Sequence, residues 1–146
     1  MEQALRLAER INTYRNRTKH LPETHQSGLQ GEQAAYFHLR RLGFIVVARR
    51  WTNAHTHGEI DLIAWENETL CILEVKTRDS KAAFAAEFAV DEKKQETLHR
   101  MAKAYLRQLP WKPNQQPNIQ PRFDIVSVYL QPDGHHDIRL QRDAFR

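Results

Sequence analysis

The strongest constraint on how this chain can fold lies between Gly58 and Thr77. Two runs, Gly58-Glu59-Ile60-Asp61-Leu62-Ile63-Ala64-Trp65 and Leu70-Cys71-Ile72-Leu73-Glu74-Val75-Lys76-Thr77, are rich in residues that suit a pleated, half-buried strand. Only the short polar stretch Glu66-Asn67-Glu68-Thr69 separates them, so the pair predicts a β-hairpin. With Asn67 and Glu68 as a two-residue turn, opposed residues have numbers summing to 135, which sets Asp61 against Glu74 and Glu59 against Lys76. Opposed side chains share a face, with Cβ atoms about 4.5–5.5 Å apart, and successive side chains alternate between faces. Glu59, Asp61, Glu74 and Lys76 are therefore expected together at one end of one face. Ile60, Leu62, Ala64, Cys71, Leu73 and Val75 are expected to form the apolar core surface on the other. A slip of one residue would drive Glu74 into that apolar set, so the pattern itself opposes the slip.

Three carboxylates and a lysine beside apolar surface are costly unless something neutralises them. A hard divalent cation does so: Mg²⁺ takes carboxylate oxygens and keeps several waters. Such waters can become nucleophiles and the cation can stabilise a phosphoryl oxyanion, while a lysine can hold the water or the phosphate. That is the chemistry of phosphodiester hydrolysis. The competing reading is an exposed sheet face with compensating charges. One Asp and one Glu alone would favour it; the addition of the Glu-x-Lys spacing on the same face favours a site.

Asp61 with Glu74-Val75-Lys76 resembles the PD-(D/E)xK signature of the restriction-endonuclease-like superfamily. The fuller string, Gly58-Glu59-Ile60-Asp61-Leu62-Ile63-Ala64 followed by Glu74-Val75-Lys76-Thr77-Arg78, resembles the YraN-like family of predicted endonucleases, which is similar in shape to archaeal Holliday-junction resolvases. The likeness covers roughly residues 28 to 146. It implies a nuclease acting on DNA. Asp61, Glu74 and the Val75 carbonyl would hold Mg²⁺ or Mn²⁺, and Lys76 would orient the attacking water. Glu32 would join the catalytic set, with Glu59 as a secondary acid. A resolvase needs two active sites, which leaves a homodimer open. The likeness also leaves open a second reading, a nucleic-acid-binding protein that keeps the fold with little or no cleavage.

Ahead of the hairpin, residues 3 to 15 read as a short amphipathic helix and 15 to 28 as a polar linker. This makes 1–27 an N-terminal helical extension and 28–146 the domain. Gly31-Glu32 is expected to open a helix, with Ala34, Ala35, Phe37, Leu39 and Leu42 as its apolar side and Gly43 as its stop. Glu32 matches a family glutamate that can point at the metal; an acid in a first helical turn also suits the helix dipole, and both readings stay open. Phe44 to Ala48 reads as a strand, followed by Arg49, Arg50 and Trp51. Basic residues beside an aromatic suit phosphate contact with base stacking, or an ordinary exposed strand end. His55 and His57 alternate with Glu59 and Asp61, a spacing open to a transition metal, although the family has no histidines there.

After Arg78, itself a candidate nucleic-acid contact, the family has a glycine-containing loop, whereas Lys81 to Phe88 is alanine-rich here. A long amphipathic helix is expected over about 91 to 109, with Leu98, Met101, Ala102, Tyr105 and Leu106 inward. Lys94-Gln95 near its start matches a family pair that can reach a scissile phosphate, or is a solvated charge with its neighbour. Residues 110 to 121, with four prolines, form a loop. Arg122 to Leu130 is a strand in which Asp124 reads as a structural acid, and His136 to Leu140 suits an edge strand.

The resulting order is an α/β restriction-endonuclease-like core, α-β-β-β-α-β, a mixed sheet flanked by helices. The long helix before Arg122 permits a parallel crossover. In 146 residues there is material for one core, and the net charge of +4 points mildly toward polyanions. A lone cysteine, no long apolar run and no signal-like start lead to the expectation of a cytoplasmic protein without a membrane span.

Overall fold

A computed structural model describes residues 23–79, 89–111 and 118–146. The expected helix over 3–15, most of the linker after it, the alanine-rich stretch and the middle of the proline-rich loop lie outside the described residues. The elements are α1 (Glu23–Arg41), β1 (Ile45–Asn53), β2 (Thr56–Glu66), β3 (Thr69–Asp79), α2 (Glu92–Gln108), β4 (Arg122–Leu130) and β5 (His136–Phe145). They build one five-stranded sheet in the order β1-β2-β3-β4-β5. All neighbours are antiparallel except β3 and β4, which run parallel, with α2 in the connection between them. This is the expected restriction-endonuclease-like order, with β5 as an added edge. No helix among the described residues is long and apolar enough to cross a membrane.

The hairpin register is as the sequence implies. Glu66 pairs with Thr69, Ala64 with Cys71 and Leu62 with Leu73, and Asn67 takes the turn with a φ of +53°. Both faces of the sheet are covered. Leu62, Ala64, Cys71 and Leu73 pack with Ala35 and Leu39 of α1. Ile63, Leu70 and Ile72 pack with Leu98, Met101 and Tyr105 of α2. Ile60 departs from the expected alternation: it lies fully buried on the α2 side with Ile63, not beside Leu62. Its partner Trp51 follows Arg50, whose φ of +48° kinks β1, and the pair turns toward α2 together.

Two helix boundaries matter for the site. α2 begins where expected: Asp91 is its N-cap, with Oδ1 accepting the Lys94 amide at 2.8 Å. α1 begins at Glu23, well before Gly31. Glu32 therefore sits about two and a half turns into the helix, too far for the dipole of a first turn to explain it. Gly31 is a contact glycine rather than a start signal, since a Cβ there would overlap the Thr77 side chain of β3.

Candidate active site

The hairpin ladder ends at Leu62 and Leu73. Below that point β2 pairs only with β1, through Trp51 to Ile60 and Asn53 to Thr56, and β3 only with β4, through to Asp79. The sheet forks here, and the acids line the fork. The expected opposition of Glu59 and Lys76 is absent because the two strands have already parted. Instead Asp61 Oδ2 accepts the Val75 amide at 2.7 Å, a side chain replacing the next backbone bond.

Both helices reach this fork. From α1, Glu32 joins Glu59 and Asp61, and each of the three offers a carboxylate oxygen within 4.8 Å of the others. Arg50 Nε stands 3.2 Å from Glu59 Oε1 and 3.9 Å from Glu32 Oε2. From α2, Lys94 Nζ stands 3.3 Å from Glu74 Oε2. That oxygen is buried and receives no hydrogen bond from a described N–H or hydroxyl, so the lysine is an ion-pair neighbour outside bonding geometry.

The electrostatics follow from this crowding. Burial, then the charge of Asp61, raises the Glu32 carboxyl to about 7, against the pull of Arg50. Burial, then Asp61, likewise pushes Glu74 up, with Lys94 opposing. Burial raises Asp61 too, although the Val75 amide and Lys94 favour its charged form. Lys76 is drawn down by burial and by Arg78, with Glu74 and Asp91 opposing. These shifts describe acids that resist ionising together in the absence of a further cation. The hard carboxylate oxygens of Glu32, Glu59 and Asp61, close enough to share one ion, fit Mg²⁺ or Mn²⁺. Glu74, His55 and His57 lie outside this trio.

The other predicted residues are dispersed. Arg49 lies over the Tyr36 ring, 4.6 Å from its centroid, on the α1 side. Arg50 turns into the acids, and Trp51 packs edge-on against Tyr105 under α2 at 5.4 Å. Gln95 Nε2 donates to the Val90 carbonyl at 2.8 Å, tying α2 to the segment before it. Arg78 is half-buried at the end of β3, within electrostatic reach of Lys76. What the sequence pattern did not signal is Arg50 as counterion of the acids, because its left-handed backbone has no glycine or asparagine to announce it.

On β4, Asp124 is fully buried and takes Arg122 at 2.8 Å on each oxygen, plus the Asp143 amide at 3.0 Å. It is a structural acid, as its sequence context suggests, tied to Arg122 and the β5 backbone and not to the acids of the fork. Cys71 is buried, its thiol pushed up to about 12 by burial, which suits packing rather than chemistry.

Residues 31–128, from the glycine that brings Glu32 to the fork through most of β4, match the group described as Uncharacterised protein family UPF0102. The chain belongs to this family. A UPF0102 protein from Koribacter versatilis is 43% identical over 109 residues, covering 75% of this chain and 72% of the relative. One from Solibacter usitatus is 41% identical, covering 80% and 83%, and one from Symbiobacterium thermophilum is 40% identical, covering 81% and 94%. The UPF0102 match bears out the likeness to the YraN family drawn from the 58–78 string.

Proposed function

We propose that this UPF0102 protein is a metal-dependent nuclease that hydrolyses phosphodiester bonds in DNA, with branched or single-stranded DNA as the substrate class that the family likeness suggests. The observation that carries the reading is the half-buried carboxylate trio of Glu32, Glu59 and Asp61 in the sheet fork, with Glu74 beside it against Lys94. Asp61, with Glu32 and Glu59 beside it, would hold the cation, and Glu74 and the Val75 carbonyl would complete the set. Bound there, Mg²⁺ or Mn²⁺ would supply positive charge to the scissile phosphate and a more acidic water. Val75 fixes the Asp61 rotamer through its amide, so that the second Asp61 oxygen is presented without searching. Lys76, beside Glu74 on the next turn of the pleat, is set to orient the attacking water. Lys94 balances Glu74 and lies where a phosphate approaching from the α2 side would meet it.

Binding without turnover is the second reading, and Arg50 is what favours it: a guanidinium already satisfies Glu59 and neighbours Glu32. The test is cleavage of labelled branched, single-stranded and duplex DNA with Mn²⁺ or Mg²⁺, wild type beside Asp61→Ala and Lys76→Ala. Loss of cleavage in folded variants is expected. Variants that cut as well as wild type would mean the fork is not the site.

A further inference from the structure

A cleft of about 390 Å³ lies between the β1–β2 turn and the outer face of α2, lined by His55, Thr56, His57, Arg100, Lys103, Ala104 and Arg107. Among the described residues no carboxylate lines it. A second depression, lined by residues 52 to 59, shares His55, Thr56 and His57 with the first and ends at Glu59 of the acid cluster. Together their linings run from Glu59 to Arg107 near the end of α2.

The arrangement is built into the fold at Gly58. Its φ of +128° is one that other residues rarely adopt, and a Cβ there would meet Thr97 Cγ2 at 2.6 Å. The start of β2 is therefore pressed against α2 at Thr97, about one turn of the helix before Arg100. Arg100, Lys103 and Arg107 are spaced to line one side of a helix over about 10 Å. All three are exposed, and among the described residues none has an ion pair with a carboxylate. The acids of α2 sit toward its start, at Glu92 and Glu96. Complementing the helix dipole accounts for Arg107 in the last turn, but not for Arg100 and Lys103 upstream of it.

We propose that this cleft holds the phosphodiester backbone of a nucleic-acid strand whose scissile bond lies at the acids, with Arg100, Lys103 and Arg107 as its phosphate contacts. The inference rests on the nuclease reading for the identity of the polymer, and adds the direction in which the strand leaves the fork. A row of cations along about 10 Å fits successive phosphates of one strand, and such contacts position a substrate without reading its sequence.

The experiment is fluorescence anisotropy with labelled 20-nucleotide single-stranded and duplex DNA in EDTA, so that no cutting enters. The groove double variant Lys103→Gln/Arg107→Gln is compared with a control of equal charge loss on α1 and β5, Arg41→Gln/Arg139→Gln. The groove variant is expected to bind about tenfold more weakly at low salt. The slope of log affinity against log salt should fall by up to about 2, since each neutralised phosphate contributes roughly 0.7–0.9. The control should match wild type. An unchanged groove variant, an equal loss in both doubles, or a wild type that binds neither DNA would overturn the proposal. A wild type that never cuts with Mn²⁺ but shows the groove effect would end the hydrolysis claim and leave the groove standing.

Discussion

Asp61 Oδ2 accepts the Val75 amide at 2.7 Å, across two neighbouring strands whose own ladder has already stopped at Leu62 and Leu73. One carboxylate thus completes the hairpin and opens the site. Asp61→Asn keeps an oxygen for that amide and removes a charge that holds Glu32 and Glu74 up. In EDTA at pH 8 it is expected to gain about 1 kcal/mol, or about 2–4 °C in Tm, while losing any rise in Tm with Mn²⁺. Asp61→Ala also strands the amide and should fall below Asp61→Asn by about 1–3 kcal/mol. Thermal unfolding of both, with EDTA and with Mn²⁺, checks the order; an Asn variant still stabilised by Mn²⁺ would contradict it.

The acids predict an unusual pH dependence. Glu32 keeps its proton in the fold up to about 7 against an ordinary 4.5, so between these values the folded state binds more protons than the unfolded one. Metal-free stability must then fall as pH rises through that window and level off above it. After allowing for partial solvent access, a drop of about 1–2 kcal/mol between pH 5 and pH 7.5 is expected from urea unfolding in EDTA. A divalent cation needs ionised ligands, so its stabilisation should grow across the same window. Higher metal-free stability at pH 7.5 than at pH 5 would refute this.

Gly31→Ala would normally strengthen a helix by about 1 kcal/mol. Here the added Cβ meets Thr77, and overpacking costs about 1–3 kcal/mol, so net destabilisation is expected. Thr77→Ala removes the hydroxyl and methyl but leaves Thr77 Cβ 2.9 Å from the added one, so it should recover part of that loss in the double variant. A double-mutant cycle with no coupling would show that α1 does not approach β3 through this glycine.

Glu66 anchors the opposite end of the sheet. Arg142 first, then Arg122, holds its carboxyl down to about 2, with contacts of 2.6 Å from each. Its stabilisation is present above the ordinary 4.5 and is lost as pH falls toward 2. Glu66→Gln should cost about 1–2 kcal/mol at pH 7, discounted for solvent, and lose that deficit near pH 2. Chemical unfolding at the two pH values reads it; an equal deficit at both would rule out the ion pairs as the cause.

These features were unequally legible in the sequence. The hairpin register followed from Asn67-Glu68 and two strands whose apolar residues tolerate only one pairing. Asp91 announced the start of α2 because its side chain can take the free Lys94 amide. The fork was hidden, because alternation assumes that paired strands stay paired, and so Glu59 was set against Lys76 when it meets Arg50. The side-switch of Ile60 accompanies the left-handed backbone of Arg50 on the facing strand, which neither Gly nor Asn marks. The early start of α1 was masked by Gly31, which reads as a boundary but serves a close contact.

The most direct test of the central claim is calorimetric titration of Mn²⁺ into the protein at pH 8, wild type beside Asp61→Asn and Glu74→Gln, with folding of each checked by circular dichroism. Wild type should bind Mn²⁺ and both variants should lose the binding or weaken it at least tenfold. Equal binding by all three proteins, or none by wild type, would contradict the assignment of the sheet fork as a metal site.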